Sequence, residues 1–353
     1  MRLAAALDAA GDVVEIFTGV PRRAFSRALD VWDPRARSRL RTLVRTFVPD
    51  IVHVHNFLRE LSPSILGASS VPAHVLTMHD VRLLGFADRT GSRRGGGPSA
   101  YAKRMAARLG RVQALRHIDV AIAPSSVLAR LLEEAGFRTV YHVPHFADPG
   151  PEPERSPSAS YDVAYAGRLS REKGVFQLIE AFAYVAPHHS ASRLIFAGDG
   201  PERRPLERLA AQIAPGRVRF TGLLDERNVR RLMEGCRMVV APSTVPEAAG
   251  LTVLEAALAG RPVIVSDDPA LRELVDEARC GAIVGRGDIS GLSRAIDSLL
   301  GDPDTCDAMG SAGRRVAVRT RSIDAGVGAT KTAYEAAIRD RTHRRTSALP
   351  PAD

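Results

Sequence analysis

Cysteine is scarce in this 353-residue chain: Cys236, Cys280 and Cys306 stand far apart. An odd, widely spaced set excludes a disulfide framework and a zinc knuckle, and it fits a reducing cytosol. Aromatic residues make up 5%, too few for the base-stacking platform that binds single-stranded nucleic acid. No apolar run reaches the roughly 18 residues of a membrane-spanning helix. The opening Met1-Arg2-Leu3-Ala4-Ala5-Ala6-Leu7-Asp8 has no apolar stretch of signal-peptide length. Lysine is the rarest charge: Lys103, Lys173 and Lys331 stand against 46 arginines. A lysine in that background marks a place where a compact ammonium serves better than a planar fork, or it is a leftover.

What is abundant is arginine, and it is unevenly placed. Residues 1–150 hold 21 Lys+Arg and 13 Asp+Glu, whereas residues 151–353 hold 28 and 27, so nearly all of the +9 net charge lies in the first half. Arg22, Arg23, Arg27, Arg35, Arg37, Arg39, Arg41 and Arg45 crowd one stretch. Two readings fit this run: a solvated basic helix, or contact with an anionic membrane or a phosphate-bearing lipid. No nucleic-acid-binding motif accompanies the charge, so no nucleic-acid partner is expected.

Short β-branched runs alternate with helical patterns along the whole chain. Strands are expected at Asp12–Thr18, Ile51–His55, His74–Met78, Val120–Ala123 and Thr139–Val143. Further strands are expected at Asp162–Ala166, Arg193–Ala197, Val218–Thr221, Met238–Ala241, Pro262–Val265 and Gly281–Val284. Helices are expected between them, among them Arg35–Phe47, Ala100–Arg116, Phe176–Tyr184 and Leu251–Ala259. The alternation implies an α/β fold of two doubly wound, Rossmann-like domains with parallel sheets, facing a cleft. Four prolines within Asp148–Ser158 read as a semi-rigid linker. The expected division is therefore residues 1–147, a linker at 148–160, a second domain at 161–340, and a disordered tail at 341–353.

Two segments could carry chemistry. Gly167-Arg168-Leu169-Ser170-Arg171-Glu172-Lys173-Gly174 follows the first strand of the second half and precedes a helix. Arg168 and Lys173 on one such loop can converge on a diphosphate, or form a basic loop without a ligand. Farther on, Gly250 opens a helix whose first free N–H groups belong to Gly250, Leu251 and Thr252, a ready anion site. Glu247 stands just before that helix and Glu255 inside it, between Leu254 and Ala256. A carboxylate among apolar neighbours needs a partner, and carboxylates bind sugar hydroxyls well.

Together these segments resemble the large family of retaining glycosyltransferases with two Rossmann-like domains, the family-4 type of GT-B fold. The most specific element is Glu-x7-Glu, met by Glu247 and Glu255 and followed by Ala259-Gly260-Arg261-Pro262-Val263-Ile264. Gly167-Arg168-Leu169 with Lys173-Gly174, Ala197-Gly198-Asp199-Gly200-Pro201 and Phe220-Thr221-Gly222 support it. The resemblance implies that Arg168 and Lys173 hold a donor diphosphate, Glu247 meets the sugar, and Glu255 meets the ribose hydroxyls. Backbone near Leu224 would face the base. It implies transfer of a sugar from a nucleotide-activated donor to a hydroxyl acceptor, with retention, and with no metal and no cofactor. The partners implied are a nucleotide-sugar donor and a sugar or lipid-linked acceptor. With the basic first half, the expectation is a cytoplasmic enzyme at the inner face of an anionic membrane, in cell-envelope polysaccharide or glycolipid synthesis. A nucleotide-sugar epimerase and a non-catalytic nucleotide-sugar-binding module share this architecture, but no distinct acid/base pair marks an epimerase.

In the first half, Pro49-Asp50-Ile51-Val52-His53-Val54-His55-Asn56 and Thr77-Met78-His79-Asp80 also resemble the family, which keeps a polar residue near the donor sugar where His79 stands. His79 is otherwise a strand-end histidine satisfied by backbone. His53 and His55 share a strand face but lack a third metal ligand at suitable spacing, and Asp267-Asp268 is no metal signature in such an architecture. Two departures stand out. Ala248-Ala249 occupies a place where Pro-Phe or Ser-Phe is common. Met1–Ala10 reads as the end of the family's first helix, so its first strand and glycine turn are expected upstream of this start. The glycine- and arginine-rich stretch Gly85–Pro98 reads as a mobile loop on the acceptor side.

Overall fold

The computed structural model of the chain describes residues 2–19, 33–55, 61–69, 72–79 and 98–347. Arg22, Arg23 and Arg27, Asp80, the stretch 85–97 and the terminus from 348 lie outside the described residues. The chain divides into two compact units, Met1–Pro144 with Gly326–Asp353, and His145–Ala325.

Unit 1 holds a parallel sheet in chain order: β1 (Ile51–His55), β2 (Ala73–Thr77), β3 (Val120–Ala123) and β4 (Val140–His142). Around it run α1 (Arg2–Ala9), α2 (Pro34–Phe47), α3 (Pro98–His117) and α4 (Ser126–Glu134). In α2, Ala36, Leu40 and Val44 are buried at helical spacing and Asp33 caps the N-terminus. The strand expected at Asp12–Thr18 does not form: residues 12–19 carry no ladder pairing, and Val13 and Ile16 are 83% and 52% exposed. Strand propensity expresses itself only where a neighbouring strand supplies pairing and burial.

Unit 2 holds six parallel strands, β5 (Val163–Ala166), β6 (Leu194–Ala197), β7 (Val218–Gly222), β8 (Met238–Ala241), β9 (Val263–Ser266) and β10 (Gly281–Val284), in the order β10-β9-β8-β5-β6-β7. The order runs outward from β5 in one direction and from β8 in the other. The crevice at their C-terminal ends is the switch point where such sheets bind ligands. Helices α5 (Val175–Val185), α6 (Arg203–Ile213), α7 (Glu226–Gly235), α8 (Leu251–Leu258), α9 (Pro269–Ala278), α10 (Ile289–Gly301) and α11 (Pro303–Thr320) complete the unit. Alternation along the strands feeds two cores. Val163, Tyr165, Leu194, Phe196 and Val240 pack with Phe182 and Ile296 on one face. Ala164, Val239, Val263 and Val265 pack with Leu254 and Leu271 on the other. The two-domain α/β architecture with parallel sheets expected for the chain is therefore present, and the strand order of unit 2 is the doubly wound one.

The domain limits differ from the expectation in two places. The stretch read as a linker is part of unit 2, because buried Arg314 of α11 donates to the carbonyls of Pro149, Gly150 and Pro151 at 3.1, 3.1 and 2.9 Å. Ser158 N–H adds a 2.8 Å bond to Asp307. The tail expected to be disordered is helical as far as it is described: α12 runs Ile323–Ser347, and from Gly326 onward it counts with unit 1. Its first part buries Val327, Ala333, Ala336 and Ala337, whereas the anchors of its end are polar, so apolar periodicity misses them. Asp340 accepts from Thr139 Oγ1 at 2.8 Å, and Arg344 pairs with the fully buried Asp119 carboxylate at 2.9 Å.

Candidate functional site

The chemistry-bearing residues of unit 2 sit on loops that leave the C-terminal ends of its strands. The loop after β5, residues 167–174, is held down by close backbone contacts. Gly174 has φ +69°, and a β-carbon there would collide with the Pro242 carbonyl that follows β8. Gly198 has φ +137°, and its β-carbon would strike the Gly167 carbonyl. The sequence needs glycine at both positions for the loops after β5, β6 and β8 to close together.

Lys173 and Glu247 meet in this crevice. Lys173 Nζ lies 2.6 Å from Glu247 Oε1, with the side chains 34% and 16% exposed. Ser243 Oγ donates to the same oxygen. A charge-assisted bond between half-buried partners fixes both heads. The Glu247 amide in turn donates to Asp268 Oδ2 at 3.2 Å. Nearby, the Tyr165 hydroxyl donates to the Arg168 carbonyl at 2.7 Å. Burial, with Glu247 and Glu172 close by, pushes the Tyr165 pKa above its ordinary value, so the phenol stays a donor.

Helix α8 begins beside this pair. Its first intrahelical bond is Leu254 N–H to Gly250 C=O, and no side chain caps Gly250. The N–H groups ahead of Leu254 therefore have no acceptor within the helix, at the end carrying the helix dipole's positive pole. Thr252 Oγ1 reaches the Ala166 carbonyl at 3.4 Å, which ties this terminus to the end of β5. Leu251, Thr252 and Glu255 form the less buried side of α8, while Val253, Leu254, Ala256, Ala257 and Leu258 are buried. Glu255 thus lies one turn behind Leu251 on the same side.

The structure brings Arg168, Lys173, Glu247, Gly250, Leu251, Thr252 and Glu255 to the loops and helix end at the β5/β8 switch point. Arg168 is exposed on the first of these loops. Leu224 is half-buried in the loop that follows β7, two strands away, beside Leu223 at 81% exposure. His79 belongs to unit 1, just past β2. Its Nε2 lies 2.9 Å from His55 Nδ1. His53 has Thr77 Oγ1 and Tyr334 OH, each at 2.7 Å, on its two ring nitrogens. The His53 pair noted in the sequence is thus engaged in hydrogen bonding. Among the described residues no group of three or more His, Cys, Asp or Glu is arranged to hold a metal ion. Desolvation and the neighbouring rings lower the pKa values of His53 and His55, the latter to about 4. Among the described residues no helix is long and apolar enough to cross a membrane.

Sequence reasoning missed Ser243, Asp268 and Arg286. Ser243 stands four residues before Glu247 in an irregular loop, where spacing carries no signal. Asp268 entered the sequence reading only within Asp267-Asp268, as no metal signature.

Comparison with known proteins assigns both halves. Residues 150–316 match the sequence profile of glycosyl transferases group 1, and residues 1–150 match that of glycosyltransferase family 4. A 2-deoxystreptamine N-acetyl-D-glucosaminyltransferase from Streptomyces fradiae is 31% identical over 277 residues, 74% of this chain and 65% of that one. The chain spans only about two fifths of the length of several other curated relatives it matches. A sucrose-phosphate synthase from Thermosynechococcus elongatus superposes with a TM-score of 0.72 at 20% identity, over 95% of this chain and 91% of that one. HepE of Anabaena, solved with UDP and glucose, gives 0.66 at 20% identity over 98% and 89%. At that identity the structural likeness speaks for the fold.

Proposed function

Because the chain belongs to the two-domain, family-4 glycosyltransferases of GT-B fold, we propose that it moves a sugar from a nucleotide-activated donor to a hydroxyl acceptor with retention. The observation that carries this reading is the Lys173–Glu247 pair at the switch point beside the uncapped start of α8. Lys173 and Arg168 take the donor diphosphate, and the α8 amides at Gly250, Leu251 and Thr252 face its oxygens. These groups stabilise the charge that builds on the leaving diphosphate, and no metal or cofactor is invoked. Lys173 and Ser243 both engage Glu247 Oε1, so Glu247 presents Oε2 to a sugar hydroxyl. Glu255 takes the ribose hydroxyls and backbone at Leu224 faces the base.

The acceptor in this reading is a sugar or a lipid-linked sugar, as in cell-envelope polysaccharide or glycolipid synthesis. The enzyme works in the cytoplasm at the inner membrane face. Exposed Arg35, Arg39 and Arg45 on α2 would meet anionic lipid. Arg37 and Arg41 are turned to structure instead, donating to the carbonyls of Gly67 and Ala68. UDP-sugars are the first donors to test, since HepE was solved with UDP.

The test is release of nucleoside diphosphate from a panel of UDP-, GDP- and ADP-sugars, with and without a membrane-lipid extract as acceptor source. Transfer by the wild type, abolished in Lys173→Ala and in Glu255→Ala, supports the reading. Near-normal transfer in either variant refutes the site, and donor turnover to an isomerised sugar without any acceptor refutes transfer.

A further inference from the structure

Asp267 and Asp268 are adjacent, but the fold separates their work. Asp267 lies at the surface and pairs with Arg272 at 2.8 Å. Asp268 turns inward, with a side chain 1% exposed. Its Oδ1 accepts from Ala270 and Leu271 N–H at 3.0 and 3.3 Å, which caps α9. A helix cap needs no more than that. Oδ2 is spent elsewhere: it accepts the Glu247 amide at 3.2 Å and Arg286 Nη2 at 2.5 Å. Arg286 comes from the loop between β10 and α10 and is 32% exposed. The start of α9 also abuts the start of α8, since a β-carbon on Gly250 would touch the Ala270 carbonyl at 3.4 Å.

We propose that Asp268, held by Arg286, is a positioning residue for Glu247: it fixes the backbone of an irregular loop so that the Glu247 carboxylate stays on Lys173 and Ser243. The loop from Ser243 to Gly250 forms no helix or strand, so its geometry depends on side-chain anchors. Thr244 N–H ties the first half of the loop to the Glu172 carbonyl at 2.9 Å. The Asp268 bond ties the residue that bears the functional carboxylate. A buried carboxylate that takes three N–H groups and a guanidinium is fully compensated, and removing either charged partner leaves the other uncompensated. Displacing a substrate-orienting group by about 1 Å costs roughly 100-fold in rate. The inference rests on the reading that Glu247 meets the donor sugar.

Asp268→Ser separates positioning from capping, because serine still caps α9 but cannot also reach Glu247 and Arg286. Arg286→Met is the second variant; its side chain is partly exposed, so its loss leaves the unit folded. Hydrogen–deuterium exchange of the peptide covering 243–250 is the first readout, and kcat and KM with UDP-sugars are the second. In both variants, exchange over 243–250 should rise at least about tenfold, the loss of one charge-assisted hydrogen bond. Exchange elsewhere in unit 2 should stay near wild type in both variants; the melting temperature should hold in Asp268→Ser, which removes the buried charge, and fall in Arg286→Met, which leaves that charge without its cation. kcat should fall at least about tenfold, with UDP affinity changed less than threefold, and Arg286→Lys should recover part of it. Unchanged exchange over 243–250 in both variants overturns the proposal, as does a fall in kcat that merely tracks lost stability. If the wild type turns over no nucleotide-sugar, the transferase reading fails on its own, and the exchange measurement still decides whether Asp268 anchors Glu247.

Discussion

Lys173 shows what a single residue type can report. Arginine supplies 46 of the 49 basic side chains, yet the cation on Glu247 is an ammonium. It shares Glu247 Oε1 with the Ser243 hydroxyl, a crowded spot that suits a compact charge better than a planar fork. Lys173→Arg should therefore fail to restore transfer, and Lys173→Ala should weaken nucleotide diphosphate binding by roughly 10- to 100-fold, one charge-assisted contact. Titration calorimetry of both variants with UDP checks this, and wild-type affinity in Lys173→Arg contradicts it. The sequence made Lys173 and Glu247 legible through the spacings Arg168-x4-Lys173 and Glu247-x7-Glu255. It hid Asp268 and Arg286 because they are far apart in the chain and their shared target is a backbone amide. It also set His53 and His55 aside as a metal pair for want of a third ligand; Thr77, Tyr334 and His79 are their hydrogen-bond partners.

Helix α12 and the segment 12–19 show where reading by periodicity breaks down. The segment has the β-branched residues of a strand and no ladder to join. The end of α12 lacks an apolar stripe and is docked through Arg344 and Asp340. Helices α10 and α11 went unread although Asp288 and Asp302 cap them and Pro303 opens the latter, start signals independent of apolar spacing. Arg344→Ala removes the 2.9 Å partner of a buried carboxylate and should cost about 3 kcal/mol, read as a lower urea midpoint for unit 1 with unit 2 unaffected. An unchanged midpoint would show that α12 is not anchored there. Gly174→Ala should be at least as damaging in unit 2, because φ is +69° and the Pro242 carbonyl stands in the way. A melting temperature equal to wild type would contradict that contact.

At the scale of the molecule the two units differ in their response to acid. His53, His55, His74 and His117 all belong to unit 1, and all have lowered pKa values, with His55 and His74 at about 4. Burial is the main cause for His74, followed by the Arg341 and His117 charges. Between about pH 6.5 and 4 the unfolded chain binds protons that the folded unit refuses, so stability is present above 6.5 and drains away as pH falls. The buried Asp119, whose pKa burial raises, works in the opposite direction but is one group against four. Unit 1 should therefore melt ahead of unit 2 at pH 5, and His74→Leu should flatten that dependence. Calorimetric scans from pH 7.5 to 4.5 test it, and a pH-independent first transition would refute it.

We take the loops after β5 and β8, with the start of α8, to form a nucleotide-sugar donor site. The most direct measurement is the thermal shift of the wild type and of Lys173→Ala with UDP, GDP, ADP and their sugar conjugates. A ligand at about 100 times its dissociation constant stabilises by about 2.7 kcal/mol. A base-selective shift of that size in unit 2, lost in Lys173→Ala, is the predicted result. A cooperative melt that no nucleotide moves, or a shift that survives the loss of Lys173, would contradict it.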